Sequence, residues 1–275
     1  VASPPRPPRT TATGWIDVNV HLSQWPARRV PDDDRPAALV DRLREGGLTE
    51  AWAGSFDGLL HKDLAAVNAR LAEACRLPGG PRRGGFLRPF GSVNPAAPDW
   101  EEDLHRCARE HRMPGIRLHP NYHGYALDLP DFGALLRRAA DLGMLVQLVV
   151  VMEDERMMHP LLRVPPVDLA PLADVVRATP KLRLVLLNAL RTSPPLQLRR
   201  LFDAGDVSVE IATQEGVGGL GNLLAQIPVD RVLFGSHAPL FYPEAATLKL
   251  RESVLAPAQL AAIRFGNARR LLPPA

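Results

Sequence analysis

Cysteine is scarce in this chain, at two among 275 residues. That excludes a disulfide-stapled scaffold and points to a reducing cytoplasm as the expected compartment. Cys75 and Cys107 both fall in helix-like stretches and read as buried or half-buried free thiols. Long apolar runs are missing too: none reaches the roughly 18 residues that a membrane span needs. The opening "VASPPRPPRTTATG" has no apolar core of the kind a secretory leader carries, so residues 1–13 read as a flexible tail before one domain over residues 14–275. Blocks of like charge are absent. The net charge of +3 rests on arginines scattered among acids, which is a solvated surface and not a nucleic-acid stripe.

What is present is alternation. Short apolar runs at Thr13–Val20, Leu48–Ala53, Phe86–Val93, Gly115–Leu118, Met144–Val150, Leu182–Leu187, Val207–Ile211 and Val232–Phe234 predict strands, and amphipathic stretches between them predict helices. Strand–helix repetition implies βαβ units and a parallel sheet. Eight units in about 250 residues match an α/β fold of the closed (β/α)8, TIM-type kind. An open doubly wound sheet is the runner-up, but no G-x-G-x-x-G follows the first strand.

In such a barrel the chemistry sits at the carboxyl ends of the strands. Here nearly every strand end carries an amide, imidazole or acid. Strand one, "IDVNVHL", alternates so that Asp17, Asn19 and His21 are expected on one side. Strand four is followed by His119, and strand five carries Gln147 and then the loop "MEDERMMHP". Strand six ends at Asn188, strand seven at Glu210 and strand eight at His237.

Taken together, "IDVNVHL", "GIRLHPNYHGY", "KLRLVLLNAL", "LFGSHAPLF" and "IRFGNARRLL" resemble the amidohydrolase-2 branch of the metal-dependent hydrolases, over Ile16 to Leu272 and in the expected order. The resemblance implies a barrel holding zinc or another divalent ion. It also implies hydrolysis, decarboxylation or hydration of small carboxylated or cyclic substrates. The family's ligands are a His-x-His after strand one, a His after each of strands five and six, and an Asp after strand eight. At those positions this chain has Asn19 and His21, Gln147, Asn188 and His237, while His119 looks retained.

Carboxamides are weak, neutral donors for zinc, which takes about three imidazole, thiolate or carboxylate ligands at a catalytic site. The expectation is therefore that no cofactor is needed. A rearranged divalent centre at His21, Glu210 and His237, two imidazoles plus a carboxylate, is the weaker alternative. Each replacement keeps hydrogen-bonding capacity, so a polar cluster is expected to hold something polar. In that reading His237 is the general base and His21 its acid partner. Asn19, Asn188 and Gln147 donate to an oxyanion. Arg117 or Arg156 anchors a substrate carboxylate, and His119, Glu153 and Glu210 contact substrate. The partner is a small molecule, with no nucleic acid and no membrane; pairing into a homodimer is left open. The rivals are a catalytically silent binding protein of the same fold and a partner subunit for an active relative.

Overall fold

The computed structural model describes residues 14–31, 35–76 and 85–273. Eight parallel strands follow one another in chain order: β1 (Trp15–Leu22), β2 (Leu48–Ser55), β3 (Leu87–Ser92), β4 (Gly115–Leu118), β5 (Leu145–Val149), β6 (Arg183–Leu187), β7 (Asp206–Glu210) and β8 (Val232–Leu233). Each strand pairs with the next, and helices return the chain between most of them. The ring closes where the Val18 amide donates to the Phe234 carbonyl at 3.0 Å and the His21 amide to the Ala238 carbonyl at 2.8 Å. This is the single-domain (β/α)8 barrel that the alternation predicts. The predicted tail, residues 1–13, lies outside the described residues. No helix among the described residues is long and apolar enough to cross a membrane.

Two apolar groupings hold the barrel. Ile16, Val18, Trp52, Phe90, Leu145 and Val185 fill its inside. Val20, Leu39, Ile116, Leu148, Leu184 and Val209 pack between the sheet and the helices. Six strands contribute to both groupings, the arrangement expected of parallel strands covered on both faces, while β4 and β7 contribute only to the outer one.

β1 departs from the expected alternation. Its register against β2 runs Asp17 to Ala51 but Val20 to Ala53, so an extra residue is inserted between them. Ile16 and Val18 lie with the inner group and Val20 with the outer one. Asp17 therefore does not share a face with His21; its Oδ1 accepts the amides of Asn19 and Ser236, each at 3.0 Å. A period-2 pattern cannot reveal a bulge, because the extra residue shifts every position beyond it.

Candidate functional site at the carboxyl ends of the strands

Seven of the predicted side chains meet in one layer. Asn19, His21, Arg117, Gln147, Asn188, Glu210 and His237 are all 0% exposed, so the layer is enclosed and does not open to a cleft.

Arg117, from β4, lies at its centre. Its guanidinium donates to the carbonyls of Val20 at 2.8 Å and Trp52 at 3.1 Å, and to Gln147 Oε1 at 2.8 Å. Arg117 Nη1 also lies 2.9 Å from His21 Nε2. A guanidinium has no acceptor, so His21 accepts there and carries its proton on Nδ1, which has no partner. Gln147 completes this half by donating to the Val18 carbonyl at 2.8 Å. Gly54 on β2 is required here: a Cβ would stand 2.8 Å from Arg117 Cδ.

The other half centres on Glu210 at the end of β7. Its carboxylate accepts the Asn188 amide at 2.6 Å, the Ala212 amide at 2.5 Å and Asn19 Nδ2 at 3.2 Å. Asn19 Nδ2 also donates to Asn188 Oδ1 at 2.8 Å. His237 Nε2 donates to the Met152 carbonyl at 2.7 Å, and its ring meets those of His21 and Phe241 edge to face. Asn188 (φ 57°) and His237 (φ 60°) both adopt the left-handed conformation, which is uncommon outside glycine and gathers at functional sites.

Burial governs protonation. It drives His21 and His119 well below the usual imidazole range, with Arg117 adding to the effect at both. His237 falls to about 4 for the same reason, the bond to Met152 opposing the shift. All three rings are neutral at pH 7. Burial raises Asp17 to about 7 and also raises Glu210. It lowers Arg117 to about 9, against the pull of Asp17 and Glu210.

Of the remaining predicted residues, Glu153 lines a cavity above the layer, His119 is near enough to His21 to act on it electrostatically, and Arg156 lies apart. His119 is buried with neither ring nitrogen bonded. Glu153 is buried and paired with Arg28 at 2.6 Å. Arg156 is exposed and pairs with Asp154 at 2.5 Å.

A cavity of about 240 Å³ sits above the layer, at the ends of β5 to β8. Met152, Met158 and Phe241 give it apolar walls; its polar lining includes Thr213, Arg191 and four acids, Glu153, Asp154, Glu155 and Glu215. Arg191 pairs with Asp154. Met152 and Phe241, both touching His237, lie between cavity and layer. Arg191, Thr213 and Phe241 were not among the sequence candidates, because they stand three to eight residues beyond the strand ends, where no periodic signal reaches.

A family model described as amidohydrolase (Amidohydro_2) matches residues 16–273. The chain belongs to the amidohydrolase family. No curated protein matches this amidohydrolase-family chain. Solved structures share its fold. The 5-carboxyvanillate decarboxylase from Sphingomonas paucimobilis is 14% identical, with 96% of this chain and 100% of that one covered and a TM-score of 0.71. A dihydroxybenzoic acid decarboxylase from Polaromonas sp. is 14% identical, covering 94% and 96%, with a TM-score of 0.66. A 5-carboxyvanillate decarboxylase from Novosphingobium aromaticivorans is 16% identical over the same shares, with a TM-score of 0.65.

The last two were crystallised with bound manganese. That overturns the expectation that no cofactor belongs here: two proteins that share this fold hold a divalent ion. The side chains present do not fit such an ion between Asn19, His21, Asn188 and His237. His21 Nε2 faces a guanidinium, His237 Nε2 is spent on a carbonyl, and the Glu210 oxygens are taken by N–H donors. Among the described residues no three His, Cys, Asp or Glu side chains are placed to share a metal, so the His21, Glu210 and His237 centre is not assembled.

Proposed function

We propose that this amidohydrolase-family protein holds a small molecule in the cavity at the ends of β5 to β8, with the His21–His237 layer serving as the rigid floor beneath it. One observation carries this reading: the layer is closed and its polar groups largely satisfy one another, whereas the cavity lies outside Met152 and Phe241. A general base must come within about 2.6–3.2 Å of the proton it takes. His237, neutral and bonded to the Met152 carbonyl, is turned toward the loop after β5. A cavity of this size takes a compact molecule that has an apolar body and one or two polar groups.

Titration calorimetry with a panel of small cyclic and carboxylated compounds tests the reading, using Thr213→Leu to fill the cavity. Binding that Thr213→Leu abolishes supports it; binding that the substitution leaves intact refutes it.

Decarboxylation is the second reading, favoured by the names of the three similar structures. It predicts release of carbon dioxide from dihydroxybenzoate or carboxyvanillate when manganese is supplied. Such turnover would overturn the holding role.

A further inference from the structure

A second concavity lies at the opposite end of the barrel, where the strands begin. It is a groove of about 510 Å³, within the range of ligand clefts. Trp15 at the start of β1, the Glu45–Gly47 turn before β2, Leu250 and Arg251 from the helix Pro243–Glu252, and Leu260 and Arg264 near the C-terminal end line it. Catalysis in this fold belongs at the other end, so this groove is independent of the proposed function.

Arg264 distinguishes it. Its guanidinium carbon lies over the Trp15 ring, 4.3 Å from the ring centre. Its Nε is buried and has no hydrogen-bond partner, and among the described residues the side chain forms no ion pair. Arg269, Arg231 and Arg28, also part-buried, are matched with Glu50, Asp206 and Glu153, while Arg44 lies over Phe86 in a comparable state without an ion pair among the described residues. Glu45, the one acid lining the groove, makes no ion pair with it. Burial also lowers the Arg264 pKa, and no carboxylate offsets that.

A guanidinium lying over an indole face still has an N–H fork to offer a second partner. That fork matches a carboxylate through two parallel bonds. Trp15, Leu250 and Leu260 supply an apolar wall beside it. We propose that this groove binds a small organic carboxylate, with Arg264 as the anion receptor and the apolar wall taking the body of the ligand.

The test uses the full chain labelled with 5-fluorotryptophan, with the Trp15 resonance assigned from Trp15→Phe. Benzoate is the probe and benzamide its neutral counterpart. Benzoate should move the Trp15 signal saturably and benzamide should not. Arg264→Gln should weaken the response about tenfold or more, the effect of losing a charge-assisted pair. Arg264→Lys, which keeps the charge but not the fork, should fall between. Far-UV circular dichroism reports whether each variant is folded; if Arg264→Gln is not, the comparison rests on Arg264→Lys. No saturable shift with benzoate, an equal shift with benzamide, or an undiminished response in both Arg264 variants overturns the proposal. Because Trp15 lies at the far end from the β5–β8 cavity, binding there does not mimic this signal.

Discussion

Replacing Asp17 by Asn should make the protein's stability much less sensitive to pH between 5 and 8. Asp17 is fully enclosed at the seam between β1 and β8, with Oδ1 accepting two amides and Oδ2 without a partner. Burial places its pKa near 7, against 3.8 when exposed. From pH 5 to about 7 the unfolded chain has already lost this proton while the native protein keeps it. An acid raised in this way adds stability that is fully present below the unfolded pKa and is lost as pH rises through the folded one. Each pH unit in that window costs about 1.4 kcal/mol, so the wild type should lose about 2 to 3 kcal/mol from this group between pH 5 and pH 8. Asn keeps the oxygen that Asn19 and Ser236 bind and carries no charge. Urea denaturation of both proteins at pH 5, 6, 7 and 8 isolates the effect, since His21, His237 and Glu210 titrate in both. The stability difference should shift in favour of Asp17→Asn by about 2 to 3 kcal/mol across the range. Two parallel curves would refute the burial argument.

Arg117→Met should destabilise by about 3 to 5 kcal/mol, since it leaves Gln147, His21 and two strand carbonyls without their donor; chemical denaturation at pH 7 measures this. Gly54→Ala should cost about 1 to 3 kcal/mol by the same measurement, because its Cβ forces the Arg117 side chain off its carbonyls. Cys107 is buried and its thiol is pushed up to about 12, so a thiol reagent at pH 8 should leave it unmodified until urea unfolds the chain. Rapid labelling of Cys107 in the native protein would contradict its placement.

Much of this architecture can be read from the residues. Predicted and observed strands agree within two residues at either end, and Gly115–Leu118 matches at both, because β-branched and leucine runs bounded by glycine and proline mark buried parallel strands well. The polar strand ends were also legible, and Asn19, His21, Gln147, Asn188, Glu210 and His237 do share one layer. What could not be read is how they face one another. Composition suggested donors waiting for a ligand, while the fold brings Arg117 into their midst and lets strand carbonyls and neighbouring amides satisfy most of them. That depends on carbonyls of β1 and β2 lying far away in sequence from β4, which no local pattern encodes. The bulge in β1 was hidden for a similar reason, as it exists only relative to the pairing with β2. The cavity above the layer is built from loops after β5 to β8, where side-chain type gives no direction.

The barrel's last strand has only two residues, yet it must meet the first one to complete the circle. Its short ladder is supplemented by the bonds from Val18 and His21, and by one carboxyl group clasping an amide on each side. A ring comes apart at its weakest link. Amide exchange at Val18, His21 and Ser236 should therefore outpace that on β5 and β6, and a solute bound for the interior would enter where this clasp lets go.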